Sequence, residues 1–339
     1  MGTALLVGAG GTLGSRIARL LAGFAPEARV IPASRRGSSA LGAEARRVDV
    51  HDAATVRPAL EGVDVLVNAV GPYRYDPVPL VRACVESGAH YVDLAESPKF
   101  LGRVRKAAKG ASVAVVPGCS TVPGLVELLA RPFFELPGAV RIDAWLSMGS
   151  ANAVSAALLA GLLVPLGRNA PDGARYFGRV ESRTLAGRPL RFGRHPVGLE
   201  DLPVPVRLFV GFDRAPLVYA LRAVTPALGR LSETAVSRLA QLGAPAAALA
   251  RPFGTPRGVL RVEALAANGG KLAGVEVEAH AEGLDVPAWP AVWAATRLLR
   301  GGPSPSGACV LADLVPRTDA LAELRRAGFE VREDRSSAT

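Results

Sequence analysis

The chain opens with four apolar residues at 4–7, a turn carrying Gly8, Gly10, Gly11 and Gly14, and apolar positions Leu13, Ile17, Leu20 and Leu21. Spacings of four, seven and eight put those last four on one helix face, while the run at 4–7 predicts a short buried strand. Gly23 and Pro26 stop the helix. The alternation continues with strands expected at 29–33, 45–50, 64–70, 90–94 and 112–116. Between them, helices are expected at 53–61, 77–87 and 98–109, with Asp52, Gly88 and Ser97-Pro98 as cap or stop signals. Pro32 is awkward in the second strand, because proline has no ladder N–H. Strands alternating with helices predict an α/β domain with a doubly wound parallel sheet.

From about residue 140 the pattern changes. Residues 140–148 alternate like a half-buried strand, and the continuous apolar run 153–166 predicts a buried helix. Residues 179–192 read as a hairpin around Ala186-Gly187, 204–210 as a strand, and 216–249 as helix broken at Pro226 and Pro245. Stretches 258–266 and 271–281 alternate on either side of Asn268-Gly269-Gly270, a hairpin signal. This describes a second, α+β domain with a mixed, largely antiparallel sheet, suited to binding a substrate and to forming a homodimer. A helix over Trp289–Leu299, a Gly/Pro/Ser linker at 301–307, a helix at 319–327 and a polar, disordered tail at 332–339 complete the reading.

At 339 residues, 49% hydrophobic and 21% charged, the chain suits two globular domains. The net charge of +10 comes almost wholly from arginine, since lysine occurs only at 99, 106, 109 and 271. The arginines are scattered and aromatics are few, which argues against a nucleic-acid surface; the charge still attracts anionic ligands. Cys84, Cys119 and Cys309 lack C-x-x-C spacing, and His51, His90, His195 and His280 are isolated, so no disulfide framework and no metal site are expected. No leader precedes the first strand, and the 153–166 run is too short to span a bilayer. A cytoplasmic protein is therefore expected, with 153–166 as a buried helix and a membrane-interface segment as the alternative reading.

Strand, glycine turn and helix in that order make a dinucleotide site, with pyrophosphate facing the helix N-terminus. Gly8, Gly10, Gly11, Thr12, Leu13 and Gly14 are its expected phosphate-binding residues. An acid about 20 residues beyond the glycines would bind the ribose 2′-hydroxyl of NAD; here stand Ser34, Arg35 and Arg36, which suit the 2′-phosphate of NADP. NADP is thus expected in preference to NAD. Asp49 and Val50 fall beside the adenine, and Asn68, Ala69, Val70 and Gly71 at the end of the fourth strand border the ligand crevice. Tyr73 and Glu96 are the catalytic candidates, because both follow strand ends at the edge where the nicotinamide lies. Cys119, Ser120 and Thr121 read as turn and cap residues, and 191–196 as an exposed basic loop, with binding of a substrate carboxylate or phosphate as the alternative.

Gly8-x-x-Gly11-x-x-Gly14, Gly71-Pro72-Tyr73, the segment Cys84-Val85-Glu86-Ser87-Gly88-Ala89-His90-Tyr91-Val92-Asp93-Leu94 and Ser120-Thr121-Val122-Pro123-Gly124-Leu125 together resemble the saccharopine dehydrogenase-like family. The resemblance covers about the first 130 residues. It implies an NAD(P)-binding Rossmann domain, a second domain with an open mixed sheet, and a C-terminal segment that returns to the first. The expected organisation is an NADP-binding domain at 1–125, a substrate-binding and dimerisation domain at 126–288, and a returning segment at 289–331. The implied function is an NADP-dependent oxidoreductase acting on an imine/amine or enoyl-type small molecule, with the 153–166 run leaning towards an apolar one. An NADP(H)-binding redox sensor or scaffold without turnover is the alternative.

Overall fold

The computed structural model describes residues 2–37, 44–199, 202–249 and 251–335. Short apolar strands with a helix after nearly every one build the first sheet. It contains β1 (Thr3–Val7), β2 (Arg29–Ser34), β3 (Arg46–Arg47), β4 (Val65–Asn68), β5 (His90–Asp93), β6 (Ala114–Val116) and β13 (Gly307–Ala308). All pairings are parallel, in the order β13-β6-β5-β4-β1-β2-β3. This is a doubly wound Rossmann-type sheet, and its strand order reverses between β1 and β4, where such sheets open a crevice at their C-terminal edge. Leu5, Leu66 and Tyr91 are fully buried, and Leu80 and Leu101 from the helices α3 (Val78–Ser87) and α4 (Pro98–Ala107) pack into the same core.

Pro32 fits because of where its neighbours end. Residues 31 and 33 of β2 point towards β1, as the Gly8 N–H to Ala33 carbonyl bond shows, so Pro32 points towards β3. That strand starts opposite Ala33, so the missing N–H faces no ladder partner. The third strand is shorter than the 45–50 stretch because the chain turns at once: Asp52 N–H bonds the Asp49 carbonyl (2.9 Å). Asp52 does act as a cap, accepting the Ala54 N–H at 3.1 Å, but the product is a single 3-10 turn and α2 (Val56–Ala59) rather than a helix to 61. Ser97, by contrast, makes no capping bond to α4.

The second sheet has the order β14-β12-β11-β7-β10-β9-β8. Its strands are β7 (Arg141–Met148), β8 (Val180–Leu185), β9 (Arg188–His195), β10 (Val206–Phe212), β11 (Gly258–Leu265), β12 (Lys271–Ala279) and β14 (Glu330–Arg335). Only β7 and β10 run parallel. The β8–β9 hairpin turns at Ala186 (φ 49°) and Gly187 (φ 69°). One face carries buried carboxylates under arginines. Asp143 takes two bonds from Arg207, each 2.8 Å, and Glu263 takes the Trp145 indole N–H (3.0 Å) with Arg261 (3.0 Å) and Arg183 beside it. Trp145 stacks on Phe209 at 4.1 Å.

Three expectations for this part change. The apolar run folds as α6 (Ala156–Leu163), capped by Ser155, yet only Ala160 in it is buried. Helices α7 (Ala215–Leu228) and α8 (Glu233–Leu249) run through Pro226 and Pro245 and part at 229–232 instead. Each proline lies inside its helix and costs it one ladder bond, and the helix runs on for two residues after Pro226 and four after Pro245. The tail is not disordered from 332: Glu330–Arg335 pairs antiparallel with β12, and Arg261 holds Asp334 at 3.0 Å, while 336–339 lie outside the described residues.

The chain divides into two units, 1–128 with 284–320 and 129–283 with 321–339. In the first unit, α9 (Trp289–Leu299) is buried along almost its whole length, with Trp289 and Trp293 stacked at 5.8 Å. No helix of the described residues is long and apolar enough to cross a membrane.

Candidate cofactor site

The glycine turn joins β1 to α1 (Gly14–Phe24), and each glycine has its own steric reason. Gly8 has φ +85° and lies against Ala69 and Val70, where a Cβ would meet their atoms at 3.0–3.1 Å. The Gly8 carbonyl accepts the Gly11 N–H at 2.9 Å. A Cβ on Gly14 would stand 2.1 Å from that same carbonyl, and one on Gly11 3.2 Å from it. Gly10 differs: it is exposed, and a Cβ there would meet nothing within 4 Å. Leu13 occupies the N-cap of α1 without a capping side chain, and the first turn carries no acid. The positive end of the helix is therefore left uncompensated by side chains, which favours an anion.

The ends of three strands are tied together beneath this turn. The Gly8 N–H bonds the Ala33 carbonyl (3.0 Å) and the Ala69 N–H the Val7 carbonyl (2.9 Å). At the end of β2, Ser34 starts a turn closed by the Gly37 N–H at 3.1 Å. Arg35 and Arg36 are exposed there, and neither pairs with a carboxylate among the described residues. Beyond β3, Asp49 takes the His51 N–H on its carboxylate (3.0 Å) and the Thr55 hydroxyl bonds the Asp49 N–H (2.9 Å), so Asp49 shapes its own turn; Val50 is half-buried beside it.

The end of β4 holds a polar network that reading along the chain does not anticipate. Asn68 is fully buried; its amide donates to the hydroxyls of Tyr75 (2.7 Å) and Tyr91 (3.1 Å), and its Oδ1 accepts from the Tyr75 hydroxyl (3.1 Å) and the Val70 N–H (3.3 Å). Its side chain thus faces inwards, which leaves Ala69, Val70 and Gly71 to border the crevice. The Tyr73 hydroxyl donates to the Asn68 carbonyl (3.0 Å) and accepts the Leu94 N–H (3.3 Å), bracing the β4 end against the β5 end. Burial pushes this hydroxyl further above its ordinary range, aided by repulsion from Tyr75 and Asp93. The signal for the network is the i, i+2 repetition, Tyr73 with Tyr75 and Tyr91 with Asp93.

Asp93, register partner of Asn68, is also fully buried. Its Oδ1 accepts the Ala95 N–H (2.8 Å) and the Gly118 N–H (2.9 Å), which pins the loop after β6. Burial pushes its carboxyl up to about 6 against the pull of those two N–H groups. In the pinned loop, Cys119 is buried, its thiol directed at the Val116 carbonyl (3.5 Å), and burial pushes its pKa well up, so it is no thiolate nucleophile. Ser120 and Thr121 are buried too, and Ser120 makes no side-chain cap. Glu96 stands exposed just beyond Leu94, yet the protein around its carboxyl displaces enough water to push its pKa up to about 7. His90 accepts the Ala114 N–H at Nδ1 (2.9 Å), and burial lowers its pKa.

Elsewhere the expected basic loop is strand β9. Its Arg194 pairs with Asp172 (2.5 Å), and the buried His195 ring lies between the Leu162 and Pro196 carbonyls, 3.2 and 3.3 Å away, with its pKa lowered by burial. Arg191 is turned to the Ser182 and Tyr219 hydroxyls. These side chains are spent within the fold and do not form an anion loop. Glu278, His280 and Glu330 come together within 4.8 Å, a grouping invisible in the sequence, but Arg332 sits among them (3.6 Å from Glu278, 2.6 Å from Glu330) and supplies the charge.

Comparison with known proteins gives this geometry its context. Residues 4–116 match the family model of the saccharopine dehydrogenase NADP binding domain. The resemblance read from the motifs therefore holds for the first domain, which is an NAD(P)-binding Rossmann domain of that type. A human saccharopine dehydrogenase-like oxidoreductase is 36% identical over 53 residues, 16% of this chain and 12% of its own length. A "probable mitochondrial saccharopine dehydrogenase-like oxidoreductase" of Arabidopsis thaliana is 28% identical over 110 residues, 30% of this chain and 24% of its own. The matches thus span less than a quarter of these relatives. Apo saccharopine dehydrogenase (L-Glu forming) of Saccharomyces cerevisiae has the same fold, with TM-score 0.67 at 16% identity, over 99% of this chain and 100% of that one.

Proposed function

We propose that the protein is an NADP-dependent oxidoreductase working on an imine/amine or enoyl-type small molecule. The nicotinamide, when bound, supplies the hydride chemistry, and the protein's task is to hold it and to exclude alternatives. The observation that carries the reading is the Gly8–Gly14 turn, closed on itself except at Gly10, which presents bare backbone at the head of an uncapped helix. Thr12 and Leu13 complete the stretch that would face the pyrophosphate. Arg35 and Arg36, exposed at the end of β2, suit the 2′-phosphate of NADP. Two guanidinium groups there favour NADP over NAD.

At the other side of the switch point, Tyr73 acts as a positioning residue. Its hydroxyl already bonds the Asn68 carbonyl and the Leu94 N–H, and its raised pKa makes it a weak proton donor. Glu96 is the exposed carboxyl at the same edge, and we assign it the orienting or proton-transfer role.

The test is NADPH consumption against a panel of cyclic and acyclic imines, aldehydes with amines, and enoyl thioesters. Turnover that falls at least tenfold in Glu96→Gln supports the assignment. Tight NADPH binding without consumption of any panel member overturns it in favour of a cofactor sensor. The small catalytic inventory beside Tyr73, Asn68 and Cys119, all spent within the fold, is what keeps that second reading in view.

A further inference from the structure

The described residues expose seven large apolar side chains, and six fall within 219–253: Tyr219 (51%), Val224 (47%), Leu231 (38%), Leu239 (46%), Leu242 (78%) and Phe253 (77%). All belong to α7, α8 and the turns that follow them, in the second unit. Beneath them, Val218, Leu228 and Val236 pack with Leu166 and Phe177 into their own small core, so the exposed set is an outer face and not a misplaced interior. The neighbouring α6 has only Ala160 buried and leaves its other apolar residues partly open. Exposed apolar side chains gathered in one stretch of two helices point to a contact surface.

The charge of the same stretch says what it contacts. Residues 214–257 carry six arginines and a single acid, Glu233, so an anionic partner is favoured. Arg238 precedes Leu242 by four and both are exposed, so arginine and apolar side chains share a face of α8, while Arg222, half-buried between Val218 and Thr225, stands at the edge of the outer face of α7. Neither of these arginines, nor Arg230, pairs with a carboxylate among the described residues. A second copy would bring arginine against arginine. Leu242 and Phe253 project instead of lining a groove, which suits insertion into a fluid interface better than a shaped protein slot.

We propose that the outer face of α7 and α8, with α6 beside it, docks on an anionic lipid surface, with Leu242 and Phe253 inserted at the level of the headgroups and Arg222, Arg230 and Arg238 over the phosphates. This is peripheral docking and needs no spanning helix. It takes up the membrane association that the sequence reading keeps as an alternative.

The full chain is sedimented with vesicles of phosphatidylcholine containing one-third phosphatidylglycerol, and with phosphatidylcholine alone. Binding to the anionic vesicles, weakened by salt, is expected. Arg222→Gln, Arg230→Gln and Arg238→Gln together lower the partition about a hundredfold, at roughly fivefold for each arginine near the surface. Leu242→Ser with Phe253→Ser abolishes binding while NADPH affinity, which belongs to the other unit, and the melting temperature stay as they were. Equal binding to both vesicle types, or none at low salt, overturns the proposal. So does a concentration-dependent dimer in ultracentrifugation that Leu242→Ser with Phe253→Ser disperses, which would assign the face to a second copy.

Discussion

Replacing Asp93 with asparagine should remove a defined part of the protein's pH dependence. Asp93 is fully buried at the end of β5, with two N–H groups on Oδ1 and no hydrogen-bond partner for Oδ2. Burial raises its carboxyl to about 6, some two units above the ordinary aspartate range. A raised acid pKa means that the native state holds more protons than the unfolded chain between about pH 4 and about pH 6. Stability is then greatest below that window, falls as pH rises through it, and is level above. Two units correspond to about 3 kcal/mol, of which about 2 kcal/mol falls between about pH 4.5 and about pH 7.5. Asparagine keeps an oxygen for Ala95 and Gly118 but does not ionise. Urea unfolding of both proteins across that range isolates the group, because every other titration cancels in the difference. The gap between Asp93→Asn and the parent should shift by about 2 kcal/mol in favour of the variant as pH rises. A gap constant to within roughly half a kcal/mol would refute the reasoning, since it would mean that Asp93 ionises in the folded protein as easily as in the unfolded one.

Two glycine variants should separate folding from cofactor binding. Gly10→Ala enters open space, so it should leave stability unchanged or raise it by up to about 1 kcal/mol, while crowding of a bound pyrophosphate weakens NADPH binding by about 1–3 kcal/mol, roughly 5- to 150-fold, by fluorescence titration. Gly14→Ala drives a methyl into the Gly8 carbonyl and should lower the melting temperature as well. Arg35→Ala with Arg36→Ala should cost NADPH affinity tenfold or more and leave NADH affinity within about twofold, on the basis of about 1.5–3 kcal/mol for a charge-assisted bond; equal losses for both would end the 2′-phosphate assignment. Tyr73→Phe should destabilise by about 1–3 kcal/mol in urea, because the Leu94 N–H and Asn68 carbonyl lose their partner. A fall in kcat at unchanged stability would instead make its hydroxyl catalytic.

The elements of the first unit were legible because each was carried by local chemistry. Buried parallel strands are short continuous apolar runs, and Gly8 and Gly88 mark their own backbone conformations, as the Asn268-Gly269 turn does in the second unit. What failed was what depended on distant neighbours. The 153–166 run reads as buried by composition, but burial is decided by what covers it, and α6, packed on α8, is mostly half-buried. The tail at 332–335 is polar and reads as disordered, yet its acids and arginines meet β12, Arg261 and Lys271, residues some sixty positions away. Pro226 and Pro245 read as breaks because proline forfeits a ladder bond, yet both helices run on past them. The Asn68, Tyr73, Tyr75, Tyr91 and Asp93 network was out of reach for the same reason, since register between β4 and β5 is set by the whole sheet.

The distinction matters most in the glycine turn. From sequence, four glycines within seven residues are one motif with one explanation. In the structure they separate by cause. Gly8 is required by its positive φ and by the β4 end behind it, and Gly14 by the Gly8 carbonyl. Gly8 and Gly14 would be glycine whether or not anything ever bound, while a Cβ on Gly11 would only press on that carbonyl. Gly10 alone has no neighbour within 4 Å of a would-be side chain. Its residue type is not demanded by packing, so on the proposed cofactor reading it is the position in the turn where a ligand, and not the fold, would supply the reason for a missing side chain. A protein that retained the turn only as architecture would tolerate alanine at 10 without consequence for NADPH, and so the functional reading of the whole first unit rests on that one residue more than on the motif.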